Sequence, residues 1–163
     1  AEGVPASETA ALIDTCRESV RRISHELMPP EFAYANLDEV VRYYLMKQQE
    51  ACGDGVSIVY SAPAGDWSSV PDGVALEIYR IVQEAVGNSI KHSGATKIDV
   101  VMSVTDGSLT LEVADNGTYS PSGKRGIGLN SMKRRAAAVG GTLTVETDAE
   151  NAMRVVLNVN IGK

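Results

Sequence analysis

The sequence predicts an α+β fold: a two-layer α/β sandwich in which a mixed, mostly antiparallel sheet carries helices on one face, preceded by a helical segment. Three observations carry this. Apolar residues alternate at period two in short runs that begin at Val56. Stripes spaced by three and four residues fill the stretches before and between those runs. Clusters of Gly, Pro, Asp and Asn separate neighbouring patterns, which places turns rather than long linkers between the elements.

Taken in order, Leu12, Cys16, Val20, Ile23 and Leu27 form the apolar stripe of an amphipathic helix, and Pro29-Pro30 stops it. A lone helix with one apolar stripe is marginal in water, so this one calls for a partner helix, from a second copy or from upstream chain. Leu37, Val40, Val41, Tyr44 and Leu45 resume the helical period as far as Gly53 and Gly55. Val56, Ile58 and Tyr60 then read as a half-buried strand, so two parts are expected, 1–52 and 53–163. The stretch APAGDWSSVPDG leads into a long helix ending near His92, with Gly94 as its stop. Ile98, Val100 and Met102, then Leu109, Leu111 and Val113, flank a hairpin turn at Asp106-Gly107. The second of these strands runs into Asp115-Asn116-Gly117. Residues 116–128, rich in glycine and polar side chains, have the make-up of a mobile loop and candidate lid. Leu129 to Val139 is helical in composition and ends at Gly140-Gly141. Leu143 to Val145 and Val155 to Val159 close as an antiparallel pair across residues 148–151.

Composition excludes several classes. The 163 residues are 44% hydrophobic and 22% charged, ordinary globular usage. No apolar run approaches the roughly 20 residues of a membrane helix, so this segment is expected to make no membrane contact. A net charge of -6 argues against a nucleic-acid partner, because affinity for phosphate backbones is cationic in origin. Any phosphate must be held by local groups. Cys16 and Cys52 sit in no paired motif, which indicates neither a disulfide framework nor a zinc site and fits a cytoplasmic setting. The start, without Met or a signal-peptide pattern, reads as a piece of a longer protein.

The chemistry concentrates in residues 77–93, EIYRIVQEAVGNSIKHS. At about 100° per residue, Asn88 falls roughly 40° from Glu84 and Lys91 roughly 20° on the other side, with His92 at the edge of the same face. Ile78, Ile81, Val82, Ala85, Val86 and Ile90 face a core. A carboxylate, a carboxamide and an ammonium on one rigid face suit a magnesium-bound triphosphate: the Asn oxygen as a hard ligand, Glu84 as a proton acceptor, Lys91 against phosphate charge. The same face would equally serve as the solvated side of an ordinary helix. Asp115 at a strand end places a carboxylate where a purine amino group can donate to it, and Gly117 allows close approach. Gly126-Ile127-Gly128-Leu129 opens a helix whose first amides can meet phosphate.

The order of these features resembles the Bergerat-fold ATP-binding domain shared by histidine kinases, Hsp90-type chaperones, type II topoisomerases and MutL-type repair proteins. QEAVGNSIKHSGA resembles the N box, DNG the first glycine box, and GIGLNSMKRRAAAVGGTL the second; within the superfamily the chain is most similar to sensor kinases of the NarX/DesK type. The resemblance implies a catalytic domain that moves the γ-phosphoryl group of Mg-ATP to a histidine on an upstream dimerisation helix, for relay to a response regulator aspartate. It implies Asn88 as magnesium ligand, Glu84 as the N-box acid, and Lys91 and His92 as phosphate-side contacts. Asp115 becomes the adenine reader, and Gly117, Gly126, Gly128 and Leu129 shape pocket and lid. It also implies that residues 1–52 are the end of a dimerisation helix and its connector, with a homodimer formed through the upstream helices, and it leaves membrane anchoring of the full-length protein open.

Departures from the family pattern are visible too. Tyr119 stands at the second glycine of the first glycine box, Ala152-Met153 replace a usual Gly-Thr pair, and Gly87 lies inside the N-box helix. These motivate an alternative, a degenerate, non-catalytic nucleotide-sensing or scaffold module. A serine kinase of the anti-sigma type would share the pocket without explaining the helical connector. Ser24-His25-Glu26-Leu27 resembles a phosphoacceptor box, but His25 precedes Asn88 by too few residues for a full helical hairpin plus the first strand and helix, so His25 is read as a helix-surface or hinge residue.

Overall fold

The computed structural model describes residues 12, 13, 15, 16, 29–63, 65–118, 125–148, 150 and 152–162. The chain divides into two units, Ala1–Ala33 and Tyr34–Lys163. In the first, residues 12, 13, 15 and 16 are helical, and Pro30–Ala33 forms a single 3₁₀ turn. Val20, Ile23, His25 and Leu27 lie outside the described residues, as do Tyr119 and the stretch 119–124.

The second unit opens with α1 (Leu37–Cys52). A reciprocal cap starts it: Asn36 Oδ1 accepts from the Glu39 amide at 3.1 Å, and Glu39 Oε2 accepts from the Asn36 amide at 2.9 Å. Leu37, Val40, Val41 and Leu45 are buried, as the stripe predicted. Tyr44 packs edge-on against Tyr79 with ring centroids 5.8 Å apart, whereas its neighbour Tyr43 is half exposed. The two are adjacent and leave a helix about 100° apart, so one cannot follow the other into the core.

The helix α1 is fastened to the first strand, β1 (Ser57–Ser61), by polar contacts. The Tyr60 hydroxyl donates to Asp38 Oδ1 at 2.6 Å, Arg42 pairs with the same carboxylate at 3.2 Å, and its guanidinium lies 4.9 Å from the Tyr60 ring centre. Gln49 Oε1 accepts the Ile58 amide at 2.7 Å while its Nε2 donates to the Val56 carbonyl at 2.9 Å. β1 is a sheet edge, and this side chain occupies backbone groups that would otherwise invite another strand.

The remaining elements are α2 (Asp72–Asn88), β2 (Lys97–Thr105), β3 (Ser108–Asp115), α3 (Arg125–Ala138), β4 (Thr142–Thr147) and β5 (Met153–Asn160). The sheet order is β1-β2-β3-β5-β4; β1 and β2 run parallel, joined through α2, and every other neighbouring pair is antiparallel. The hairpin turn has Asp106 at φ 49° and Gly107 at φ 72°, the left-handed pair that a two-residue connection requires. Alternate residues of β2, β3 and β5 are buried, among them Val100, Leu111 and Leu157, and they share one core with Ile78, Ile81, Val82, Ala85 and Val86 of α2. The opposite face stays open, with Val59 45% and Val101 39% exposed. This is the two-layer mixed sandwich read from the sequence, with α1 belonging to its compact unit. No described helix is long and apolar enough to cross a membrane.

Burial, reinforced by Tyr79, Cys52 and Glu84, pushes the Tyr44 hydroxyl up to about 12. Burial and the bond to Asp38 raise Tyr60 further still. An unfolded tyrosine ionises near 10, so the fold favours the protonated forms. Stability from these groups is full below about pH 10 and is lost as pH rises toward and beyond 12. Urea midpoints measured at pH 8 and pH 11 should show this loss, and it should shrink in the Tyr44→Phe/Tyr60→Phe variant. An equal drop in that variant contradicts the assignment.

Candidate functional site

The site forms where the end of α2 meets the end of β3. Glu84 and Asn88 are half-buried one helical turn apart, and Asn88 Nδ2 donates to Glu84 Oε1 at 3.3 Å. A carboxylate can only accept, so the amide nitrogen must face Glu84 and the amide oxygen is turned away from it. Gly128, in the first turn of α3, packs directly onto this pair: a Cβ there would run into Glu84 Oε1 and lie 3.2 Å from Asn88 Nδ2. Gly126 belongs to the same first turn, and Leu129 follows it directly.

Beyond Asn88 the helix does not continue as an α-helix. Ser89–Ser93 form a π turn, and Gly94 ends it at φ 68°. In such a turn the bonds run from i to i+5, so the advance per residue falls below 100° and the wheel position of Lys91 no longer applies. Lys91 and His92 lie exposed on this turn.

Asp115 is 7% exposed, continuing the inward row of Leu109, Leu111 and Val113. Both of its oxygens are engaged. Oδ1 accepts the Gly117 amide at 2.8 Å, and Oδ2 accepts the hydroxyl of Ser89 at 2.5 Å. Ser93 completes the arrangement: its Oγ donates to the Ser89 carbonyl at 2.8 Å, and its own carbonyl accepts the Thr118 amide at 2.8 Å. Gly117 rests against Ser93 so closely that a Cβ would lie 2.5 Å from the Ser93 carbonyl oxygen. Asn116 locks the strand end, its Oδ1 accepting the amides of Thr96 and Lys97 at 2.9 Å each and its Nδ2 donating to Thr96 Oγ1 at 2.9 Å.

The structure thus brings Glu84, Asn88 and Gly128 into one contact set and Asp115 and Gly117 into another, and Ser89 joins the two. Sequence reading missed Ser89, Ser93 and Asn116. A signal for Ser89 existed: at about 100° per residue it falls roughly 20° from Ile78, inside the apolar arc, and a hydroxyl facing a core needs a partner. Met153, at the place of the expected threonine, is buried, and the register that pairs Ala114 with Arg154 sets it beside Asp115. Arg135 pairs with Glu77 at 2.8 Å, which holds α3 to α2, while Arg134 is exposed.

A family model described as histidine kinase-, DNA gyrase B-, and HSP90-like ATPase matches residues 73–162. Two Bacillus subtilis (strain 168) proteins are similar: sensor histidine kinase LnrJ, 28% identical over 156 residues, and sensor histidine kinase YxjM, 30% identical over 144 residues. The matches cover 94% and 88% of this chain but 37% and 34% of those proteins, so the chain spans about a third of their length. The histidine kinase domain of the blue-light activated kinase EL346 of Erythrobacter litoralis has the same fold. Its TM-score is 0.65 at 19% identity, over 77% of this chain and 61% of that one.

Two glycines should respond to alanine with opposite signs. A Cβ at Gly117 must displace Ser93, so Gly117→Ala should cost about 1–3 kcal/mol and lower Tm. A Cβ at Gly87 meets nothing within 4 Å inside α2, so Gly87→Ala should add about 0.5–1 kcal/mol. Thermal unfolding of both variants checks the pair, and a stable Gly117→Ala would contradict the packing described.

Proposed function

The chain belongs to the histidine kinase-, DNA gyrase B-, and HSP90-like ATPase family, and on that premise we propose that it binds Mg-ATP at the end of α2 and passes the γ-phosphoryl group to a histidine on an upstream dimerisation helix. A response regulator aspartate then receives the phosphoryl group. The observation that carries this reading is adjacency. Asn88 and Ser89 are consecutive, and the first meets Glu84 and Gly128 while the second meets Asp115. The amide for the metal side and the carboxylate for the purine side lie at one end of one helix.

The residues fit magnesium. Among the described residues no group of three or more His, Cys, Asp or Glu side chains forms a metal cage. Magnesium instead takes few protein ligands, keeps several waters and shares phosphate oxygens, so a single amide oxygen at Asn88 is the kind of ligand it uses. When bound, the ion supplies charge neutralisation at the β- and γ-phosphates. The protein's own groups position the reaction. Asp115 accepts a hydrogen bond from the adenine amino group, amides at the start of α3 donate to phosphate, and Lys91 offsets phosphate charge. An imidazole nitrogen attacks the γ-phosphorus, the bond to the ADP oxygen breaks, and Glu84 takes the imidazole proton through the oxygen that Asn88 does not occupy.

Residues 1–52 are read here as the end of a dimerisation helix and its connector, in a cytoplasmic portion of a homodimeric kinase. The names of LnrJ and YxjM favour this catalytic reading over a degenerate module.

Mg-ATP at a hundredfold excess over Kd should stabilise the chain by about 2.7 kcal/mol and raise Tm. Asn88→Ala should keep the ligand-free Tm and lose most of that rise. With labelled ATP the chain alone should stay unlabelled, and phosphate on His25 would contradict the assignment of an upstream acceptor.

A further inference from the structure

We propose that Ser89 is a positioning residue that sets this site's preference for a 6-amino purine over a 6-oxo purine, acting through Asp115; the proposal rests on the ATP reading above. Ser89 is 1% exposed and Asp115 7% exposed, so the serine stands behind the carboxylate. The carboxylate cannot donate, which commits the single hydroxyl proton of Ser89 to Asp115 Oδ2. With the Gly117 amide on Oδ1, one donor holds each oxygen, and the carboxylate plane is fixed by two bonds from different segments.

Two consequences follow for a bound base. The two donors hold the carboxylate as an oriented acceptor. An acceptor so oriented welcomes the amino group at position 6 of adenine and repels the carbonyl oxygen that hypoxanthine carries there. Without the Ser89 hydroxyl the buried carboxylate keeps one donor, from the Gly117 amide, and gains freedom to turn. A carboxylate free to turn no longer aims an acceptor at position 6, so the site discriminates less between the 6-amino and the 6-oxo base. Ser89 already faces inward at the ordinary helical angle, and at the start of the π turn its own carbonyl is held by Ser93 Oγ at 2.8 Å.

The test measures dissociation constants of the full chain for Mg-ATP and Mg-ITP by calorimetry, in the parent, Ser89→Ala and Ser89→Cys. ITP differs from ATP in the group at purine position 6 and the adjoining ring proton, so the ratio of the two constants reports base readout. The cysteine variant keeps most of the side-chain volume with a weak donor, and it decides the matter where the alanine variant does not fold. The parent should prefer ATP, and the ATP:ITP preference should fall about tenfold in either folded variant, ~1.4 kcal/mol. A purely structural serine would weaken both nucleotides together, so an unchanged ratio overturns the proposal. A parent that binds neither nucleotide overturns the ATP reading itself, a result distinct from an unchanged ratio.

Discussion

A buried carboxylate fastens the end of one helix to the end of one strand. Asp115 closes β3, and its two oxygens are satisfied by Ser89 from α2 and by Gly117 from the chain just beyond. Ser93 ties the remaining ends together through the Ser89 carbonyl and the Thr118 amide. Desolvating a carboxylate without partners is costly, so this closed set of bonds determines where the π turn sits and how near Gly117 comes to it. Any side chain at 117 would separate the pieces. Position 117 is thus set by packing contact and needs no unusual backbone angle.

The same fastening orders the polar groups on α2. Because Ser89 points into the core, Asn88 is turned onto the face that carries Glu84, and α3 approaches that face through Gly128. Arg135 and Glu77 hold the two helices together one end further along. A carboxamide, a carboxylate and the start of a helix are brought together there.

Much of this was legible in the sequence, for a physical reason. One face of the sheet is buried and the other open, so Ile98, Val100 and Met102 had to alternate, and Asp106-Gly107 had to supply left-handed backbone. Glu84, Asn88 and Asp115 stood out because polar residues spaced by one helical turn, or set at a strand end, are visible to period counting. What stayed hidden depended on contacts between distant segments. No local pattern announces that Gln49 caps Ile58 or that Asp38 meets Tyr60, so α1 was legible as a helix but not as part of the compact unit. The π turn was hidden because a wheel at a fixed angle assumes the helix that it is used to describe. Ser89 was passed over for its neighbour Asn88, although its position among apolar residues required a partner.

Met153 and Ser89 lie on two sides of Asp115, one across the strand pairing and one from the helix. The most direct measurement of the whole account is a crystal structure of the chain with magnesium and a non-hydrolysable ATP analogue. The account predicts the adenine amino group within hydrogen-bond distance of Asp115 and the ion on the amide oxygen of Asn88, with the Ser89–Asp115 bond kept. A nucleotide bound elsewhere, or a base and ion that do not reach these two residues together, would contradict it.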